Sequence, residues 1–122
     1  MLPARHRMRA ADEFGAAIRS GARSSTRRVV VHYHSGSTRA ESVRVGFVVS
    51  KAVGNAVTRN IVKRRLRSAM AGRVGELPQG CAVVVRALPA SAEATFSELD
   101  EDLDEALRRA RRKSTGHQGG RR

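Results

Sequence analysis

The chain has 122 residues, enough for one domain with a single modest core, and carries a formal net charge of +13. This charge favours a polyanion as the partner, and a nucleic acid fits better than an anionic membrane because no segment combines the charge with a wide apolar stripe. Cys81 is the only cysteine, which excludes an internal disulfide and is typical of a buried, reduced thiol. No apolar run approaches the about 18 residues that span a bilayer, and no signal-peptide core is recognisable. We therefore expect a cytoplasmic protein.

The N-terminal segment predicts a basic arm followed by a helix. Residues 1–9 (MLPARHRMR) are basic and lack an apolar period. The pattern then becomes helical from Ala10 to Ser20, with Phe14 and Ile18 on one face and Gly21 placed to end the helix. Phe14 is most simply a core residue, or else a ring offered to an unstacked base if the neighbouring sheet is open.

Three segments rich in β-branched residues predict strands: residues 27–34, 42–50 and 81–87. Alternate residues of the first strand point to opposite faces of the sheet, so Val30 and His32 share one face. The third segment (CAVVVRA) is almost continuously apolar, as expected of a strand that is buried on both faces.

The segment from Asn55 to Arg73 predicts an amphipathic helix, with Gly54 in the preceding turn and Asn55 as the N-cap. Its apolar residues recur at helical spacing: Val62, Leu66, Ala69 and Met70. Its polar face carries Asn60, Lys63, Arg64 and Arg67. A solvated basic face normally interleaves acids, yet no Asp or Glu occurs between residues 42 and 75. We therefore interpret this face as a nucleic-acid surface.

The C-terminal part predicts a last helix that begins with a capping box at Thr95 and Glu98. Acids early in this helix and arginines late match the helix dipole, so the acidic block is interpreted as structural. The segment from Ser114 to the end lacks apolar residues, which predicts a disordered basic tail over residues 114–122 after a single domain over residues 1–113. The fold class is α+β: a small sheet of three to four strands packed with three helices, in the order α-β-β-(β)-α-β-α.

No constellation in the sequence indicates a catalytic site in the protein. His32 and His34 could lie on one strand face, but no nearby acid would orient them as a general acid and base. One cysteine and scattered histidines do not give the spacing of a zinc site, and the acids after Glu98 are distributed around a helix. From residue chemistry alone the prediction is an RNA or DNA binder.

The residues from Arg44 to Arg67 are RVGFVVSKAVGNAVTRNIVKRRLR. This segment closely resembles the signature of the bacterial ribonuclease P protein subunit, whose pattern is roughly RxGxxVSKxxGxAVxRNxxKRxxR. The flanks agree as well: RHRM before a helix that carries DEF, and VRALPA after the signature. The resemblance extends by element order over nearly the whole chain up to about residue 110.

This resemblance implies a protein subunit that works with a large catalytic RNA. Together they remove the 5′ leader from precursor tRNA by phosphodiester hydrolysis, with the active centre and most of the Mg²⁺ held by the RNA. It also implies a fold with a left-handed β-α-β crossover around the central helix, and neither a membrane nor a small molecule as a partner.

The resemblance further implies two RNA-binding surfaces. The positions that match the contacts to the catalytic RNA and precursor tRNA are Lys51, Arg59, Asn60, Lys63, Arg64, Arg65 and Arg67. The positions that match the groove for the single-stranded leader are Phe14, Ile18, Val30 and His32, and the basic arm supplies Arg5, Arg7 and Arg9.

Two positions depart from the family pattern. Ile61 stands where the family often has arginine, so one phosphate contact is lost or moves to Arg65. The groove positions Ile18 and His32 are commonly aromatic in the family, which leaves Phe14 as the main stacking ring; a protonated His32 would add charge.

Two alternatives stay open from the sequence. A general RNA-binding or ribosomal protein shares the charge but does not explain the long signature. A free-standing nuclease that uses His32 or His34 belongs to a different class, and cleavage by the chain alone would identify it.

Overall fold

The computed structural model describes residues 21–35 and 43–119, which form one mixed sheet and two α-helices. The elements, in chain order, are β1 (Ala22–Ser25), β2 (Val29–His34), β3 (Arg44–Val48), α1 (Ala56–Ala71), β4 (Ala82–Ala87) and α2 (Phe96–Gly119). Short 3₁₀ helices cover Val74–Glu76 and Pro89–Glu93. The predicted basic arm and first helix lie outside the described residues.

The four strands are arranged in the order β1-β2-β4-β3. β2 pairs antiparallel with both β1 and β4, whereas β3 pairs parallel with β4. Parallel neighbours need a crossover connection, and α1 supplies it between β3 and β4. The predicted α+β class is confirmed, and the additional strand is β1, which precedes the two predicted strands instead of following them.

The two faces of the sheet differ in what covers them. Val29, Val31 and Tyr33 of β2 belong to the main core, together with residues of both α1 and α2. Their neighbours Val30 and His32 point to the opposite face, as the alternation in the sequence predicts. Both described helices therefore pack on one side of the sheet.

Local signals at its N-terminus fix the start of α1. The Asn55 side chain accepts a hydrogen bond from the Thr58 backbone N–H at 2.9 Å, which confirms the predicted N-cap. Gly54 precedes it with φ of 155°, a backbone conformation that L side chains rarely adopt. The four residues predicted to form the apolar stripe are the buried residues of this helix: Val62, Leu66, Ala69 and Met70.

The predicted capping box begins α2. Glu98 accepts from the Thr95 backbone N–H at 2.9 Å, while the Thr95 hydroxyl accepts from the Glu98 N–H at 3.1 Å. The Thr95 N–H and the nearby Arg28 guanidinium lower the pKa of the Glu98 carboxyl. The helix continues through Gly119, past Ser114, where the sequence predicts the disordered tail to begin.

Arginines from elsewhere in the chain neutralise the acidic first half of α2. Arg28, just before β2, contacts Asp102 at 3.1 Å. Arg73, just after α1, contacts Asp100 at 2.7 Å and Asp104 at 3.5 Å. These pairs join α2 to the sheet and to α1, which agrees with a structural role for the acidic block.

We expect Gly54→Ala to destabilise the fold by about 1–3 kcal/mol, because a Cβ would occupy a strained backbone conformation. That Cβ would also lie 3.0 Å from the Thr58 methyl group. Urea denaturation measures the change in the free energy of unfolding. The matched control is Gly75→Ala, because a Cβ added at Gly75 would have nothing within 4 Å, and its expected change is within about 0.5 kcal/mol. Equal changes in the two variants would contradict this account of the turn.

Cys81 should resist alkylation in the folded protein. Its side chain is fully buried, and burial raises the pKa of the thiol, so less thiolate is present at a given pH. We expect iodoacetamide to modify it only when denaturant is added, as followed by mass spectrometry. Rapid modification without denaturant would show that this part of the core opens readily.

Candidate nucleic-acid interface

The outer face of α1 forms a basic ridge, defined here as Asn60, Lys63, Arg64 and Arg67. Asn60 and Arg64 are exposed, while Lys63 and Arg67 are half-buried. Within residues 21–35 and 43–119, none of the three cations is in an ion pair. The ridge thus presents positive charge that the described part of the protein does not neutralise.

The packing of α1 explains why these side chains face outward. Val62 and Leu66 are fully buried and fix one side of the helix against the sheet and α2. Residues offset from this stripe by about 100–200° around the helix must then lie on the solvent side. Arg64 meets this condition, and so does Asn60, one turn earlier.

Arg67 is the ridge residue with the clearest need for a partner. Its Nε is buried, and the described part of the protein supplies no hydrogen-bond acceptor for it. A buried guanidinium N–H without an acceptor is costly, so Arg67 would gain by turning its guanidinium outward to an RNA phosphate, which accepts a charge-assisted bond.

Arg59 and Arg65 differ from the ridge because each is tied to the protein backbone. Arg59 Nε donates to the Gly54 carbonyl at 3.1 Å, and Arg65 donates to the Ala94 carbonyl at 2.6 Å. A guanidinium has five N–H donors, so these bonds orient the group and leave other donors available. Lys51 is exposed in the turn that leads to α1. All seven positions that match the RNA contacts of the family therefore lie on α1 or the turn before it.

The second predicted surface, the leader groove, is described only in part. Val30 and His32 share one sheet face, but both are buried, with 4% and 5% of their surface exposed. Phe14 and Ile18 lie outside the described residues, as do Arg5, Arg7 and Arg9 of the basic arm. Two of the four groove positions are thus buried in the structure.

Two arginines that the sequence analysis did not select flank His32. Arg23 is its register partner on β1, and Arg86 is the partner of the neighbouring Val30 on β4; both are exposed. Burial and the charges of these arginines lower the pKa of His32, so the neutral imidazole is favoured and a protonated His32 is not. The sequence does contain one indication of a site here, because Arg86 interrupts an otherwise apolar strand. Because Arg86 is exposed, the prediction that this strand is buried on both faces is wrong at its end.

The acids and His32 of the described residues are not grouped around one point. No three of their His, Cys, Asp and Glu side chains converge as metal ligands, and Asp100 and Asp102 contact arginines. His32 Nδ1 has no hydrogen-bond partner, so no described acid orients it as a general base. Neither of the helices described is long and apolar enough to cross a membrane.

Comparisons with known proteins agree on one family. The model of the family Ribonuclease P matches residues 2–111. A ribonuclease P protein component from Kocuria rhizophila is 57% identical over 113 residues, which cover 93% of this chain and 98% of the relative. One from Beutenbergia cavernae is 58% identical over 107 residues, or 88% of this chain and 89% of the relative. The solved structure of the RNase P protein from Staphylococcus aureus superposes with a TM-score of 0.78 at 25% identity, covering 86% of this chain and 94% of that one. The chain belongs to the ribonuclease P protein family.

Proposed function

We propose that the basic ridge of α1 binds the catalytic RNA of ribonuclease P close to where the precursor tRNA leader leaves it. As a member of this family, the chain is the protein subunit of a ribonucleoprotein endoribonuclease that processes tRNA. One observation supports the assignment of RNA binding to the basic ridge. The cations of the ridge make no ion pair within the described residues, whereas Arg28, Arg73, Arg108 and Arg109 all pair with acids of α2.

The ridge suits an RNA backbone more than a single small anion. Its side chains follow one face of a helix of 16 residues, about 24 Å long. Such a row can contact several successive phosphates, and each contact releases counterions from the RNA. The helix has no acid in its first turn, so its positive N-terminal end adds to the same field.

The sheet face opposite the helices is proposed to contact the 5′ leader. Phe14 and Ile18 would complete a groove with Val30 and His32, as in the family. Since Val30 and His32 are buried, the exposed guanidiniums of Arg23 and Arg86 are better placed to hold the leader, and they would bind its phosphates. Phosphate contacts carry no sequence information, which suits a subunit that must accept many leaders.

In this proposal the RNA carries out the chemical step and the protein positions the substrate. The catalytic RNA supplies the site where Mg²⁺ promotes hydrolysis of the phosphodiester. The residues of this chain hold and orient the two RNA molecules, which lowers the entropic cost of bringing the leader to that site. We place the complex in the cytoplasm, which agrees with the buried, free thiol of Cys81.

Reconstitution tests the proposal as a whole. Adding the full chain to ribonuclease P RNA at limiting Mg²⁺ should sharply raise the rate of leader removal, measured with end-labelled precursor tRNA. The chain without RNA should leave the precursor intact. No stimulation would favour a general RNA-binding or ribosomal protein, and cleavage by the chain alone would favour a free-standing nuclease.

Charge removal tests the ridge itself. Arg64→Ala should weaken binding of ribonuclease P RNA and reduce the slope of log K against log salt by roughly one unit, since one phosphate contact is lost. Arg67→Ala should behave in the same way. Filter binding at several salt concentrations gives the slope. Arg112→Ala is the matched control because Arg112 is exposed near the end of α2, where the neighbouring Lys113 contacts β1 and not α1. If the slope for Arg64→Ala equals that for this control, Arg64 does not contact the RNA.

A further inference from the structure

The large apolar side chains that the described structure leaves exposed lie together beside the basic ridge. They are Val57 and Ile61 on α1 and Phe96 at the start of α2, with 68%, 40% and 42% of their surface exposed. Val57 and Ile61 are four residues apart on one side of α1. The other large apolar side chains of the described residues are at least partly covered, so this patch is an unusual feature of a strongly cationic surface.

Phe96 and Ile61 line one shallow, open depression between the two helices. Arg64, Arg65 and Ser68 complete its lining. Arg65 is held in place by its 2.6 Å hydrogen bond to the Ala94 carbonyl, whereas Arg64 is exposed and has no partner among the described residues. The depression thus offers an aromatic ring, an aliphatic wall and a free guanidinium that also belongs to the basic ridge.

Phe96 also borders a second depression, which has a different character. That depression is lined by Arg73, Asp100 and Asp104. Arg73 contacts both carboxylates, at 2.7 and 3.5 Å. An anionic ligand would therefore approach Phe96 from the Arg64 side, where no acid lines the depression.

We propose that this depression binds a single unstacked base of the RNA partner. The Phe96 ring would stack on the base, Ile61 would contact its edge, and Arg64 would bind the adjoining phosphate. Aromatic rings recognise splayed bases in this way without strong sequence preference. The inference rests on the proposed function, because the same RNA covers the basic ridge.

The charge of the surface favours RNA over a protein occupant. A second copy of the chain would bring a net charge of +13 against the same charge, which opposes self-association. The patch also continues into the ridge through Arg64, so one polyanion can cover both. Ile61 stands where the family often has arginine. In this proposal its side chain makes an apolar contact to a base in place of a phosphate contact.

Tryptophan fluorescence can test this contact directly, because the chain contains no tryptophan. Full-length Phe96→Trp should lose most of its emission when ribonuclease P RNA is added, since a stacked base quenches indole. The matched control is Gln79→Trp, a neutral and exposed position in the turn before β4, where emission should change little. An RNA duplex without unpaired bases should quench the Phe96→Trp variant much less than single-stranded oligoadenylate does.

Binding measurements give a second, independent readout. Phe96→Ala should weaken the binding of ribonuclease P RNA about 5- to 150-fold, the range that corresponds to loss of one base stack. Phe96→Leu keeps the apolar contact and should recover part of the loss. Circular dichroism of each variant confirms that the fold is retained.

The outcomes separate this inference from the proposed function. If RNA binds with the expected salt slope but neither the emission of Phe96→Trp nor the affinity of Phe96→Ala changes, the base site is wrong and the basic ridge stands. Quenching of the Phe96→Trp variant by duplex and single strand alike would also overturn the base site. The base site would also be wrong if, without RNA, the emission of this variant changed with protein concentration, because that change would indicate self-association. If RNA does not bind at all, the proposed function itself fails.

Discussion

Burial of the apolar stripe of α1 between the sheet and α2 is the constraint on which the functional surface depends. Val62, Leu66 and Met70 are fully buried, so α1 cannot rotate without exposing them. Each such side chain contributes about 1.5–3 kcal/mol when it is removed from water. This packing fixes the opposite side of the helix toward solvent and thereby holds the cations of the ridge in one row. The position of the proposed RNA-binding ridge is thus a consequence of core packing.

The protein separates two populations of arginine. Arg28 and Arg73 pair with carboxylates of α2 and help to join the layers of the fold. The ridge cations make no ion pair within the described structure, and α1 itself contains no acid. If acids were distributed evenly along the chain, the ridge would be neutralised and its field would be lost. Concentrating the acids in α2 stabilises the fold while leaving α1 free to bind a polyanion.

The sheet separates the two regions that are proposed to bind RNA. α1 and α2 cover one face, and the ridge lies on the outer side of α1, whereas His32 and the exposed Arg86 belong to the opposite face. One RNA molecule can therefore contact the helices while another strand approaches from behind the sheet. Such an arrangement needs no catalytic side chain, because its contribution is to position two polyanions that would otherwise repel each other.

The sequence by itself determined the features that depend on local chemistry. The N-cap Asn55, the capping box at Thr95 and Glu98, and the apolar stripe of α1 were all predicted, because each depends on residues within a few positions of one another. The long signature from residue 44 to residue 67 also indicated the family, since a pattern of that length is highly specific.

Tertiary structure alone decided which side chains are engaged and which are free. Nothing near Arg65 in sequence shows that it donates to Ala94, and nothing near Phe96 shows that its ring remains half exposed. The burial of His32 and the pairing of β1 with β2 likewise depend on distant segments. Local periodicity identifies the outer face of a helix, but partners that are remote in sequence determine which of its charges remain available for binding.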